Sequence, residues 1–453
     1  MTPATEVPSA AKDVWTRVWL SPRRLLIAAA IFHLVVTVSI YGLGRYAVLP
    51  GTFDTNGIAV SFAPDGIPSQ QEIAELSDAL ARGQIRDWLT AASPFHLKLY
   101  SICFALLRPW FGSTILSAEP LNVLCYLAVL ILTFNVGREA LNRRVGLIAA
   151  ATVALWPSLL LHTTQLLRDP LFLVGMLAFI LVNLRLLSRS LSWSKALLTG
   201  VVGGLIALFT WLARDNMGQL LIATVALVGA LLTVRQFREK HFQAANFIGM
   251  ALLLVISVGV TRVVPKSSKV GVFEWPETSS PNRLTRIAAR VGNARQKFVN
   301  RYPYSGSNID SHVQLRSMGD MVRYLPRSAV IGFFAPFPNM WLATGNNVGS
   351  VGRLLSGLET MAMYVVEGLA VVGLWSKGRH GRGRRTFSVW LLWLVAAMGM
   401  ILLGLVVVNV GALYRLRYVF LILLIILASE GAAQTLDLYK RKRSDGSQLV
   451  TDV

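Results

Sequence analysis

The chain has 453 residues, of which 54% are hydrophobic and 15% charged, and its mean hydropathy is +0.54. So few charges cannot coat a soluble surface of this size, and many apolar runs reach the length of a bilayer crossing. A soluble enzyme, a disordered chain and a disulfide-built secreted domain are therefore excluded. The net charge of +21 would suggest nucleic acid in a soluble protein. In a membrane chain it is first a matter of topology, because cytoplasmic loops collect Lys and Arg, and no nucleic-acid partner is expected.

The fold class expected is an all-α polytopic membrane protein. The apolar run from Leu25, preceded by Lys12, Arg17, Arg23 and Arg24, predicts a retained first helix over 24–44 with its N-terminus inside. Further spans are predicted at 119–137, 146–162, 169–187, 194–212, 216–234, 244–263, 353–376, 387–409 and 418–436. That makes about ten transmembrane helices. Alternate threading puts both termini in the cytoplasm together with five basic clusters: Arg138/Arg143/Arg144, Arg185/Arg189/Lys195, Arg235/Arg238/Lys240, Lys377 to Arg385, and Lys440 to Arg443. If Phe95 to Phe111 crossed as well, every later cluster would flip outward. It is therefore read as a re-entrant or interfacial helix, and so is 327–343 with its two prolines. Cys103 and Cys125 lie in apolar runs and read as buried fillers.

The organisation is then a cytoplasmic N-terminus 1–23, a transmembrane catalytic module 24–263 containing a first external loop 45–118, a basic external loop 264–352, C-terminal spans 353–436 and a basic tail 437–453. In the first loop, Ile73, Leu76 and Leu80 recur at helical spacing, with Ser69 placed to cap and Gly83 to stop a surface helix. The second loop is strongly basic on the side where topology does not favour it. An anionic ligand or a headgroup-contacting face accounts for that equally well.

Three external places carry chemistry. Asp54 and Asp65 follow the first helix, each beside turn-forming residues, and for either alone a turn role outweighs catalysis. Between two apolar helices, His162, Gln165, Arg168 and Asp169 crowd one short turn. Asp169-Pro170 suits a helix start, but capping does not explain the cluster, and polar groups at that depth mark function. Tyr414, Arg415 and Arg417 precede the last span, as a phosphate clamp or as headgroup-snorkelling side chains. Arg214-Asp215 is a similar outer pair, or a self-satisfied ion pair.

The order of these features resembles a known family: a helix, an external loop with an early Asp, a surface helix ending Ala79-Leu80-Ala81-Arg82-Gly83, an apolar segment with His96-Leu97-Lys98-Leu99-Tyr100, Gly137-Arg138-Glu139, Trp156-Pro157-Ser158 and Leu167-Arg168-Asp169. It is similar to the C-type polytopic membrane glycosyltransferases, which include protein O-mannosyltransferases and lipid A aminoarabinose transferases. The pattern covers roughly residues 24–240. The resemblance implies a sugar donor linked to polyprenyl phosphate, an envelope glycan, lipid or protein as acceptor, membrane lipids as surroundings, and a bacterial inner membrane with the site facing outward. It also implies a first-loop carboxylate, Asp65 or Asp54, as general base, with Asp169 as the second acidic residue. Arg415 and Arg417 are the phosphate-clamp candidates, with Arg214, Lys98 and Arg168 behind them; His96 and His162 are hydrogen-bonding or relay candidates. No cofactor is assigned, and a divalent cation is compatible with the site. A polymerase or ligase using a polyprenyl-diphosphate glycan and a lipid or solute transporter are the alternatives. The transporter would show charged residues within spans and paired broken helices, whereas here the charges gather at helix ends.

Overall fold

The computed structural model describes residues 21–48, 52–53, 66–240, 242–263, 283–301, 303, 305–342, 349–380 and 384–449. Helices make up nearly all of it. Nine are long and apolar enough to cross a membrane, and a bent pair passes the same test when taken as one broken span, which makes up to ten, all counted among the described residues. In chain order they are α1 (Pro22–Arg45), α2 (Gly66–Ala81), α3 (Ile85–Thr90), α4 (Phe95–Phe111), α5 (Ile115–Ala140), α6 (Arg143–Ala154), α7 (Pro157–Thr163), α8 (Asp169–Ser188) and α9 (Trp193–Ala213). They continue with α10 (Gly218–Glu239), α11 (Ala244–Val263), α12 (Arg283–Arg301), α13 (Met318–Phe334), α14 (Gly349–His380), α15 (Arg384–Val406), α16 (Val410–Leu416) and α17 (Tyr418–Leu449). The crossings are α1, α5, α6 with α7, α8, α9, α10, α11, α14, α15 and α17. Each corresponds to a span read from hydropathy.

Helices α8 and α17 form the centre. Every residue from Tyr418 to Ala428 is buried, as is nearly all of α8. On α1, by contrast, Ile27, Ile31, Val35 and Val38 are exposed, as on a helix that meets lipid. In bilayer there is little hydrophobic drive between helices, so close backbone approach at small residues supplies the packing. A Cβ on Gly373 of α14 would stand 2.3 Å from the Leu427 carbonyl of α17, and one on Gly431 2.1 Å from the Leu369 carbonyl.

Ion pairs and hydrogen bonds sort the helix ends into two sets. At one end Asp169 meets Arg214 and Arg415, joining the start of α8, the end of α9 and the approach to α17. At the other, Glu139 takes Arg189, Arg144 lies 3.7 Å from Asp437, and Asn246 donates to the Leu186 and Arg189 carbonyls. This is the up-and-down order of alternate threading.

The sequence reading needs three adjustments. The third crossing is broken, α6 and α7 meeting at 68°: Trp156 is extended ahead of Pro157, which lacks an N–H and biases its predecessor away from helix. Ser69 is no cap, since α2 begins at Gly66; Gly83 does end the segment, at φ +73°. The 327–343 segment is not the helix itself. Helix α13 starts at Met318 behind a Ser317/Asp320 capping box and stops at Phe334. It runs antiparallel beside α15, with Gly404 against the Ser328 carbonyl and Gly332 against that of Met400. Met400 is six residues before the end of α15, or about 9 Å along it, so α13 dips beside the span without crossing.

Candidate functional site

Helix α7 ends at Thr163 and α8 opens at Asp169, so residues 164–168 form a non-helical turn at one end of the bundle. Asp169 is the first helical residue and Arg168 the N-cap, with no side-chain cap bond. The capping role that sequence suggests for Asp169 is thus not what occupies its carboxylate. One oxygen accepts from Arg214 Nη2, and the other lies 3.9 Å from Arg415 Nη1. Both arginines come from distant connections, one after α9 and one in α16. The carboxylate is 6% exposed and the Arg214 side chain 10%. Charges so deep persist only when paired.

Arg168 and His162 also act electrostatically on Asp169. His96, at the start of α4, completes the group: burial first, then Arg168 and Arg214, hold its imidazole down to about 3 against the opposing pull of Asp169. It is neutral at physiological pH. Arg214 and Arg415 therefore face the one Asp169 carboxylate, with Arg168 acting on it from the preceding position. Such a place suits an anion that carries apolar substituents.

Other candidates lie elsewhere. Lys98 Nζ donates to the Leu89 carbonyl at 2.8 Å and sits over the Trp88 ring. Arg417, two residues from Arg415, points the other way: it donates to the Ala335 carbonyl and stacks 4.1 Å above the Tyr414 ring. The expected 415/417 pair is thus split, with Arg415 alone on Asp169. Burial pushes the Tyr414 phenol up to about 12, and its hydroxyl reaches the Ser356 carbonyl. His162 Nδ1 lies 2.6 Å from the Ser158 carbonyl and 2.9 Å from the Tyr418 hydroxyl. Asp54 and Asp65 lie outside the described residues. Their described neighbours do reach the turn: Phe53 packs on the cluster of Ile40, Ile115 and Leu167, and a Cβ on Gly66 would stand 3.4 Å from Leu166.

Two polar networks beside the turn were not singled out from sequence. Behind it, His33 of α1 bonds Glu119 of α5 at 2.8 Å and Thr163 at 3.2 Å, while Thr37 donates to Glu119. At the helix break, Glu359 of α14 accepts from the Trp156 indole and from the Ser158 amide and hydroxyl. A histidine and a glutamate inside apolar runs were the available signal; which partners they would meet was not. In the basic loop, Arg295 is 2% exposed and donates to the Val313, Leu405 and Asp310 carbonyls, so it is structural. Arg327 holds the Asp310 carboxyl below its usual range. As for a divalent cation, no group of three His, Cys, Asp or Glu side chains able to hold a metal occurs among the described residues. The described carboxylate of the site faces arginines, an environment that opposes a cation.

No family model matches the sequence, and no curated protein matches it. Solved structures do. The chain is similar to the Archaeoglobus fulgidus oligosaccharyltransferase in its apo form, with a TM-score of 0.50 and 12% identity over 92% of this chain and 52% of that one. It is also similar to the AglB oligosaccharyltransferase of the same organism, in complex with an inhibitory peptide and a dolichol-phosphate: TM-score 0.51 and 13% identity, over 96% of this chain and 52% of the other. The chain has a C-type glycosyltransferase fold. It spans about half the length of the solved chains, and at this identity what is shared is the fold. That likeness extends over the C-terminal helices, where the sequence resemblance had stopped near residue 240.

Proposed function

We propose that the protein is a membrane glycosyltransferase that takes a sugar from a polyprenyl-phosphate donor and transfers it to an envelope glycan, lipid or protein on the extracytoplasmic side. The observation that carries this reading is the set of Arg168, Arg214 and Arg415 around the Asp169 carboxylate at one end of the bundle. A dolichol-phosphate in one of the structural neighbours is a ligand of the same chemical class. The bacterial inner membrane follows from the family resemblance.

In this mechanism the acceptor hydroxyl oxygen attacks the anomeric carbon as the carbon–oxygen bond to phosphate breaks, which inverts that centre. A first-loop carboxylate, Asp65 or Asp54, takes the hydroxyl proton. The lipid phosphate leaves with its electron pair and extra negative charge. Arg214 and Arg415 are oriented by Asp169 and, with Arg168, stabilise that charge where water is sparse. Neutral His96 hydrogen-bonds at the edge of the site.

The test is transfer by purified protein in liposomes loaded with a polyprenyl-phosphate sugar. Wild type is expected to release polyprenyl phosphate and glycosylate the acceptor. Asp65→Asn with Asp54→Asn, and separately Asp169→Asn, are expected to stop it in protein that still inserts and purifies. Full activity in all of these variants ends the proposal; lipid translocation without transfer by wild type supports the transporter alternative.

A further inference from the structure

We infer that Tyr100 is a positioning residue: its hydroxyl pins the turn 164–168 and so sets the direction of Asp169 and Arg168. The catalytic half of this inference rests on the function proposed above; the mechanical half does not.

Tyr100 lies on α4, one helical turn after His96, and is 1% exposed. Its hydroxyl stands 2.8 Å from Asn122 Oδ1 and 3.2 Å from each of the Gln165 and Leu167 carbonyls. All three are acceptors, whereas a phenol has one proton. The buried Asn122 Nδ2 lacks a hydrogen-bond partner. Turning the Asn122 amide over resolves the first of these, since oxygen and nitrogen of an amide are assigned and not distinguished by shape. Nδ2 then donates to the Tyr100 oxygen, and the phenol proton goes to the two carbonyls of the turn.

The Leu167 carbonyl gains most from such a donor. The turn joins α7 to α8 and is buried from Thr163 to Leu167, where a carbonyl without a partner is costly, while the Gln165 carbonyl also accepts from the Leu167 amide at 2.8 Å. Leucines steady its flanks: Leu166 packs with Ile73, Leu97 and Phe104, and Leu167 with Ile40 and Ile115. Apolar contacts fix position more than orientation. The hydroxyl adds the directional constraint, from the same helix that delivers His96. The register of α4 against the turn therefore sets His96, Arg168 and Asp169 together.

Tyr100→Phe removes one oxygen. Its matched control is Tyr126→Phe, because Tyr126 is equally buried, its ring packs on His33, and the hydroxyl that the change removes donates at 2.8 Å to the Ala154 carbonyl and not to the turn. Full-length wild type and both variants are compared in liposomes by amide hydrogen exchange over residues 163–172 and by transfer kinetics. Tyr100→Phe is expected to speed exchange across the turn and to lower kcat by about 10–100-fold, with donor KM within about threefold because the guanidiniums remain. Tyr126→Phe is expected to change neither, at a similar loss of thermal stability. Unchanged exchange in Tyr100→Phe overturns the pin. Faster exchange with kcat no lower than in Tyr126→Phe overturns the catalytic positioning. If wild type transfers no sugar, the proposed function fails, and exchange alone decides whether the pin stands.

Discussion

Asp169 is held by arginines from two other connections, and this decides how the residue behaves when changed. Breaking a buried pair from one side costs about 3–5 kcal/mol, since it strands a charge. Asp169→Ala and Arg214→Ala are each expected to lower the unfolding temperature in detergent. The double variant should recover part of that loss while transfer stays absent; additive destabilisation would show that the two side chains are not coupled. His96 gives a pH signature. Its folded-state value of about 3 lies below the ordinary 6.5, so between those values the unfolded chain binds the proton more readily. Its contribution to stability is full above about pH 6.5 and declines as pH falls toward 3. His96→Gln is expected to flatten the acid limb of a stability profile measured by thermal unfolding, and an unchanged slope would contradict the assignment. The crowding of His162, Gln165, Arg168 and Asp169 was legible in the sequence because polar residues are rare between apolar helices. That Arg415 and not Arg417 turns toward Asp169 was not legible: two residues of helix separate directions by about 200°, slightly more than a half-turn, but the sequence does not say which of the two faces inward.

Among the helices, glycine positions state which faces touch. Gly373 and Gly368 lie on the same helix, yet a Cβ at Gly373 would strike the Leu427 carbonyl, whereas one at Gly368 meets nothing within 4 Å. Gly373→Ala should therefore destabilise the protein, and Gly368→Ala should leave it unchanged or raise stability by up to about 1 kcal/mol through helix propensity. Equal thermal shifts would mean that α14 and α17 do not pack as described. Arg295 makes the same point for the basic loop. Residues in this loop read from sequence as a uniform positive surface, but this one ties α12 to the end of α15 through the Leu405 carbonyl. Arg295→Ala is expected to cost about 3 kcal/mol or more, since several carbonyls lose a charged donor. The same unfolding assay checks it.

For the molecule as a whole, the two sets of helix ends fix relative sidedness, and the positive-inside bias proposes the absolute one. In a background lacking Cys103 and Cys125, a cysteine placed at exposed Ser311 is expected to react with a membrane-impermeant thiol reagent added outside intact cells. One placed at Ser190, on the opposite end, should react only after permeabilisation. The reverse pattern would put the Asp169 site in the cytoplasm, where lipid-linked donors are not required, and would end the proposed function.

Hydropathy and charge bias alone determined the all-helical class, the positions of the ten crossings and their alternation, since bilayer thickness imposes one length and one arrangement of charge on every span. The short polar turn at 162–169 also stood out on its own. Only the tertiary structure decided that this turn is met by Arg214 and Arg415, that Tyr100, His33 and Glu119 brace it from behind, and that Arg417 and Arg295 belong to the framework. Those pairings join residues tens to hundreds of positions apart. They depend on helix rotation and close approach at small residues, neither of which leaves a periodic mark in a run of apolar amino acids.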